Sequence, residues 1–275
     1  MDKLKPDLTK LSSYDYFLPE ELIAQTPIKK RDASRLLVID RSTGSTQDRH
    51  FSDITEYLRP GDCLVINDTK VIPARLFGTV PSSSRVEVLL LRRIEGEEWQ
   101  CMTRPGKKTK PGTTVDFGEM KGVVTGVEED GLRHIRFEYD GIFNEILGRI
   151  GLMPLPPYIK KTLSDNERYQ TVYAKTEGSA AAPTAGLHFT PELLKSIENM
   201  GVTTARVLLH VGIGTFRPVK EENITEHQMH TEHICVTKET ADAINAARRA
   251  GGRIICVGTT SCRTLESVTD ESGII

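Results

Sequence analysis

Alternation of apolar and polar positions divides the chain into stretches of different character. Between residues 74 and 139 short apolar runs follow one another with turn residues between them, at 74–80, 85–92, 99–103, 113–117, 121–127 and 132–139. Within them Val86, Val88 and Leu90 alternate with Glu87 and Leu89, and Ile135, Phe137 and Tyr139 alternate with Arg136 and Glu138. A period of two over short segments predicts antiparallel strands, and six in succession predict a small barrel or sandwich. The flanking stretches mix element types. A short helix is predicted over 19–24 with proline in its first turn, a strand over 35–40, a helix over 51–58, and a buried strand over 63–67 after the Pro60-Gly61 turn. A helix over 143–150 leads into Met153-Pro-Leu-Pro-Pro157, a stiff connector. Beyond it, Thr190-Pro191-Glu192 opens a helix that Gly201 ends. A strand over 206–211, a helix from the Thr237 cap to 250 that stops at Gly251-Gly252, a strand over 253–258 and a helix opening at 259–263 complete the pattern. The prediction is an α/β sandwich domain formed by both chain ends, residues 1–73 and 154–275, with a small all-β barrel domain of residues 74–153 inserted between them.

Composition adds bounds. With 275 residues, 38% hydrophobic and 27% charged, the chain fits a soluble protein of one large or two ordinary domains, and no apolar run reaches the length of a membrane span. Met1-Asp-Lys-Leu-Lys-Pro6 has basic residues without an apolar stretch behind them and does not read as a signal peptide. Five scattered cysteines without Cys-x-x-Cys spacing argue against a disulfide framework or zinc knuckle and for a reducing cytoplasm. A net charge of −2 says little about partners. Locally, Arg104-Pro-Gly-Lys107-Lys108-Thr-Lys110 carries four positive charges and no acid, so nucleic-acid contact and a solvated loop both fit. The pairs Arg92-Arg93, Lys160-Lys161 and Arg248-Arg249 read as solvated faces.

Candidate chemistry gathers in five stretches. The apolar run over 206–211 contains His210 and breaks into Gly212-x-Gly214-Thr215. Glycines at a strand end let the backbone approach a ligand, and an imidazole there is costly unless used or paired. Taken alone, the pattern is met more simply by a strand and a tight turn. Ala180-Ala-Ala-Pro-Thr-Ala-Gly186-Leu-His188 is small, uncharged and ends in an imidazole, which suits a close-approach ligand loop. Glu226-His227-Gln-Met-His230-Thr-Glu232-His233 holds three histidines and two acids. On a helix His227 and His230 would share a face that His233 could join, so metal ligands, acid–base groups and a polar surface turn all remain open. Val257-Gly258-Thr259-Thr260-Ser261-Cys-Arg263 carries a strand through glycine into a helix N-terminus. Free N–H groups and hydroxyls there suit an anion, and without P-loop spacing or its lysine a carboxylate or single phosphate is favoured. Finally, Asn67-Asp68-Thr-Lys-Val-Ile-Pro73-Ala-Arg75 comes after a buried strand, where α/β sheets place ligands, and Arg75 falls at the domain junction.

Taken in order along the chain, the stretches resemble the S-adenosylmethionine:tRNA ribosyltransferase-isomerase family. The resemblance rests on Asn67-Asp-Thr-Lys-Val-Ile-Pro-Ala-Arg-Leu-Phe-Gly78, Met153-Pro-Leu-Pro-Pro-Tyr-Ile159, Ala181-Ala-Pro-Thr-Ala-Gly-Leu-His-Phe189, His210-Val-Gly-x-Gly-Thr-Phe-Arg-Pro-Val219, His227-x-Met-His-x-Glu232 and Val257-Gly-Thr-Thr-Ser261, and runs from about Tyr16 to the last residue. It implies a cytoplasmic transferase of queuosine biosynthesis and tRNA modification, monomeric, with no stable protein partner, no membrane and no metal. S-adenosylmethionine would be its co-substrate and tRNA carrying 7-aminomethyl-7-deazaguanine its acceptor. The ribosyl part would be transferred and isomerised to give epoxyqueuosine, with release of adenine and methionine. A sulfonium acidifies the adjacent 5′ carbon, so histidine is the natural proton carrier, and His188, His210, His227, His230 and Glu232 are the catalytic candidates. Under the same resemblance Asn67, Arg75, Gly186, Gly212, Gly214, Thr215, Gly258, Thr259, Thr260 and Ser261 would bind S-adenosylmethionine, with the last three residues on its carboxylate. Arg104, Lys107, Lys108 and Lys110 would meet tRNA phosphates. The resemblance also implies several dozen further residues after Ile275, with an Asn-Phe-His-Leu-Pro segment among them.

Three other classes compete. A methyltransferase would also run a strand into Gly-x-Gly, but no acid closes a following strand to hold a ribose. A metal-dependent hydrolase would use the 227–233 histidines, and a non-catalytic RNA-binding protein would use the small β domain. Adenine among the products, activity surviving a chelator, and binding of S-adenosylmethionine separate the four.

Overall fold

A computed structural model describes residues 7–161, 163, 165–212, 214 and 219–275. The strand at Cys63–Asn67 (β3) is its spine, with every residue buried. Leu64 and Ile66 face a core with Phe51, Phe189, Leu193 and Ile197, while Cys63 and Val65 face Ala205, Val207, Ile244 and Leu265. A strand buried on both faces reads as a continuous apolar run, which explains why Cys-Leu-Val-Ile lacks alternation. β3 pairs in parallel with Thr203–His210 (β12) and Ile254–Cys256 (β14), and an antiparallel strand, His233–Cys235 (β13), completes the order β13-β12-β3-β14. Helices Pro191–Asn199 (α2), Lys238–Arg249 (α3) and Gly258–Val268 (α4) connect or follow these strands. The hydroxyls of Thr190 and Thr237 cap α2 and α3 by accepting N–H bonds from Leu193 and Thr240.

The middle of the chain closes on itself. Arg75–Thr79 (β5), Arg85–Glu95 (β6), Glu98–Arg104 (β7), Thr114–Asp116 (β8), Met120–Val127 (β9) and Arg133–Tyr139 (β10) form a closed barrel in the order β10-β7-β6-β5-β8-β9. Its interior is Leu76, Val88, Leu90, Val115, Met120, Ile135 and Phe137, the inward half of the alternating pattern. Closure brings β5 against β8 so tightly that a Cβ on Gly78 would lie 2.7 Å from both the Asp116 carbonyl and a Val115 methyl. The chain enters and leaves the barrel side by side, since Arg75 and Leu152 exchange backbone N–H···O bonds of 3.1 and 2.9 Å. The helix Phe143–Ile150 (α1) packs Phe143, Ile146 and Leu147 into the barrel core.

Several predicted elements differ. The segments 19–24 and 51–58 form 3-10 turns, Glu20–Leu22 and Phe51–Tyr57, rather than α-helices. The strand predicted over 206–211 begins at Thr203, and the one over 253–258 ends at Cys256 because Gly258, at φ +79°, opens α4. Strands Thr46–His50 (β2, paired with Arg35–Ile39, β1), Thr69–Val71 (β4), Thr176–Ser179 (β11) and β13 carry too little apolar pattern to be read from sequence. Most consequentially, 227–232 is not helical. A 3-10 turn at Ile224–Glu226 runs into extended chain that β12 recruits as β13, with His210 opposite His233. His227 and His230 therefore share no helix face.

One buried carboxylate registers the start of the sheet. Asp62, fully buried, accepts the Arg253 backbone N–H and Nε at 3.1 Å each, Arg253 Nη2 at 2.5 Å and the Arg59 N–H at 2.9 Å. The Arg253 guanidinium holds its carboxyl far below the usual carboxylate range. Asp62→Asn keeps the shape but replaces charge-assisted bonds with neutral ones, so it is expected to cost about 2 kcal/mol. Urea unfolding of the variant against the parent chain checks this.

Candidate active site at the carboxyl ends of the parallel strands

Asn67 ends β3 and ties that strand end to β12. Its Nδ2 donates to the Leu209 carbonyl at 2.9 Å, and its Oδ1 accepts the Leu209 and Thr69 N–H groups at 3.0 and 3.2 Å. The carboxamide thus stands in for a peptide unit and extends the β3–β12 ladder by one rung. Its side chain, expected from sequence to bind the ligand, makes these hydrogen bonds to backbone groups. The next residue on β12, His210, shares a 2.8 Å hydrogen bond between Nδ1 and Thr69 Oγ1. Its ring lies 5.7 Å from that of His233, nearly parallel. Its Nε2 side fits only because residue 178 is glycine at φ +141°, where a Cβ would stand 2.9 Å from Nε2. Burial, with His233 beside it, pushes the His210 pKa down, which favours the neutral imidazole at pH 7.

The glycine turn after β12 is tied to α4 through one carboxylate. Glu232 accepts the Gly212 N–H on Oε1 at 3.1 Å and Arg263 Nη1 on Oε2 at 2.7 Å, and its side chain is 6% exposed. Arg263 also donates through Nη2 to the His230 carbonyl at 2.5 Å, while His230 Nε2 lies 3.4 Å from Glu232 Oε1. The His230 ring occupies the space a side chain on Gly214 would need, so that glycine makes room for an imidazole. Thr215 lies outside the described residues. Across this knot, α4 begins with Gly258, Thr259, Thr260 and Ser261. The hydroxyls of Thr260 and Ser261 are buried with no hydrogen-bond partner among the described residues. Two orphaned hydroxyls at the positive end of an 11-residue helix give an anion somewhere to bind.

Facing α4 is the 3-10 turn Thr184–His188. Ala185 lies against Gly258, where a Cβ would come within 3.1 Å of it. Gly186 is buried over the Tyr173 hydroxyl, which a Cβ there would meet at 2.0 Å. His188 ends the turn, half-buried, with Nδ1 3.1 Å from Ser34 Oγ and its ring 5.2 Å from Phe51. Burial, then the neighbouring Arg31 charge, pushes its pKa down.

Other sequence candidates sit apart. His227 pairs through Nδ1 with Glu221 Oε2 at 2.9 Å. Arg75, on β5, pairs with Glu87 Oε1 at 2.8 Å and lies over Phe77. Arg104, Lys107, Lys108 and Lys110 are exposed on the barrel around the 3-10 turn Gly106–Lys108. Among the described residues no three His, Cys, Asp or Glu side chains converge as metal ligands would. Sequence reasoning assigned no role to Thr69, Gly178, Tyr173 or Arg263. Only Arg263 carried a signal, as a cation shortly beyond the Thr259-Thr-Ser261 helix start. The assembled site can bind an anion at α4, admit a ligand backbone at Gly212 and move protons through neutral imidazoles.

Known proteins are similar to this chain over most of its length. A solved structure described as S-adenosylmethionine tRNA ribosyltransferase from Thermotoga maritima is 38% identical, covering 93% of this chain and 72% of that one with a TM-score of 0.44. Proteins named S-adenosylmethionine:tRNA ribosyltransferase-isomerase from Acetivibrio thermocellus and Caldanaerobacter subterraneus subsp. tengcongensis are 57% and 60% identical over 269 residues, covering 97% of this chain and 79% of each relative. The Clostridium kluyveri protein of that name is 53% identical over 267 residues, covering 96% of this chain and 78% of the relative. The sequence profile of the family described as queuosine biosynthesis protein matches residues 11–273. The chain belongs to the queuosine biosynthesis protein family.

Proposed function

We propose that this chain transfers and isomerises the ribosyl part of S-adenosylmethionine onto 7-aminomethyl-7-deazaguanine at the wobble position of tRNA. The products are epoxyqueuosine-tRNA, adenine and methionine. One observation carries the geometric side of this reading: Glu232 joins the Gly212 N–H to Arg263, so the glycine turn and the start of α4 border one cleft. The methionine carboxylate is assigned to the α4 N-terminus, with Thr259, Thr260 and Ser261. Gly186, Gly212, Gly214 and Thr215 allow the co-substrate to approach. His210 and His188 move protons, His210 being the better placed because Thr69 fixes one ring nitrogen and leaves the other toward Gly178. His230 and Glu232 form a second acid–base pair, and His227, paired with Glu221, is a further proton-transfer candidate. Asn67 supports the site from behind, and Arg75, at the barrel junction, is assigned to the donor or a tRNA phosphate. We take the two ends of the chain as one catalytic domain and the barrel as an insertion that presents Arg104, Lys107, Lys108 and Lys110 to tRNA. A single chain, working in the cytoplasm without a metal, is the proposed unit. No helix among the described residues is long and apolar enough to cross a membrane.

Incubation with S-adenosylmethionine and precursor-modified tRNA should release adenine, which simple methyl transfer would not. His210→Ala and His188→Ala should each lower kcat by about a hundredfold or more, the usual range for a lost general acid or base. Wild-type turnover in both would refute the assignment. The pH dependence has a definite sign. Both imidazoles have pKa values below the free value, so the unfolded chain binds more protons between the folded and free values. Stability contributed by keeping them neutral is complete above the free value of about 6.5 and declines as pH falls toward the folded values. Thermal melts should therefore lose less Tm on acidification in His210→Asn than in the parent chain. Neutralising Lys107, Lys108 and Lys110 to Gln should flatten the slope of log Kd for tRNA against log salt, by about one unit per lost phosphate contact.

A further inference from the structure

The Thr184–His188 turn lines a cavity of about 290 Å³. Its walls are mainly apolar, from Pro27, Leu155, Pro156, Tyr158, Leu163 and Leu187, with Thr184 and His188 on the turn itself. Gln25 holds two of these walls together, donating to the Tyr158 carbonyl at 2.9 Å and accepting the Lys160 N–H at 2.7 Å. Tyr158 is half exposed at the opening.

Two arginines meet at its edge, held there by backbone carbonyls. Arg31 donates to the carbonyls of Leu187 and Glu167 at 2.9 and 2.8 Å, and Arg168, which lines the cavity, donates to the Ile28 carbonyl at 2.5 Å. Neither forms an ion pair among the described residues, whereas nearby Lys30 and Lys160 pair with Asp32 and Glu20. The two guanidiniums are close enough that burial and Arg168 both lower the Arg31 pKa, with Asp165 and Glu167 acting in the opposite direction. Like charges are held side by side here by backbone carbonyls, which leaves several of their N–H donors for an anion. An apolar slot beside two guanidiniums that form no ion pair among the described residues matches a nucleotide, base in the slot and phosphate on the arginines. It matches single-stranded RNA in particular, whose unstacked bases are read in apolar and aromatic pockets.

Building on the function proposed above, we infer that this cavity receives the extruded wobble base of the tRNA anticodon loop, with an adjoining phosphate on Arg31 and Arg168. The Thr184–His188 turn would then divide the cleft, with the co-substrate on the Ala185–Gly258 side and the base on the Leu187–His188 side. His188 would touch the acceptor.

The test uses an anticodon stem–loop RNA with 2-aminopurine at the wobble position. The full chain should bind it with a change in 2-aminopurine emission as that base unstacks. Arg168→Gln should weaken RNA binding about tenfold with unchanged affinity for S-adenosylmethionine, and Arg168→Lys should recover part of the loss. Leu155→Trp, which fills the slot, should abolish the emission change, and far-UV circular dichroism confirms that each variant folds. RNA binding and emission equal to the parent chain in both Arg168→Gln and Leu155→Trp would overturn the inference. So would RNA affinity that depends only on Lys107, Lys108 and Lys110. Adenine release by the parent chain, measured alongside, separates the two ideas: with release intact, unaffected variants reject the cavity alone, and without release and without RNA binding both fall.

Discussion

The carboxyl edge of the sheet depends on a carboxamide with no route to water. Asn67, fully buried, bonds both backbone groups of Leu209, and so fixes the height at which β12 stops pairing with β3. His210 comes next and takes its orientation from Thr69, whose N–H is held by the same Asn67 oxygen. A buried polar side chain is tolerated only when its bonding is complete, and completeness here forces a single register. A slip of one residue would turn His210 into the core and leave Leu209 facing the cleft. The identity of residue 67 thus decides where the imidazole points, although its own side chain bonds backbone groups.

A second polar link works across elements rather than within one. Glu232 reaches the glycine turn and Arg263 reaches back from the first turns of α4, so the loop from β12 to β13 is anchored to the helix after β14. The pair is largely shielded on the acid side, and each carboxylate oxygen has its own donor. Removing either partner would leave an uncompensated charge at the cleft wall. Glycine is needed where these groups crowd together, at Gly178 beside His210 and at Gly214 beside His230.

Much of the fold was legible because its physics is local. Short strand-like runs at regular spacing, two of them alternating with period two, exposed all six barrel strands, and caps such as Thr190 and Thr237 marked helix starts. The short outer strands were not legible. β2 is Thr-Gln-Asp-Arg-His, exposed throughout, so no face of it is apolar. β13 exists because β12 has an open edge, a fact about tertiary structure that three residues cannot announce. The spacing of His227, His230 and His233 fits a helix equally well, and only the pairing with β12 decides against it. At the site, chemistry-bearing residues were visible as types, but their partners were not. Thr69 and His210 are 141 positions apart, and Arg263 and Glu232 are 31 apart. No periodicity connects such pairs.

Two cationic surfaces differ in how they are built, and their geometry suggests different tasks. The barrel cluster is exposed and clustered in sequence, with the Lys108 ammonium donating to Ser84 Oγ. Such charges act at a distance, are screened by salt and place a polyanion without reading it. Arg31 and Arg168 are brought together from segments far apart in the chain by hydrogen bonds to Leu187, Glu167 and Ile28, and they border an apolar slot. Fixed guanidiniums beside a cavity locate one phosphate and therefore one nucleotide. Under the function proposed above, the barrel cations would bring a folded RNA near, and the arginine pair, bonded to the Thr184–His188 turn at the Leu187 carbonyl, would select the base that reaches His188. Affinity and selection would then reside in separate parts of the molecule, joined where Arg75 and Leu152 bond at the crossing of the chain.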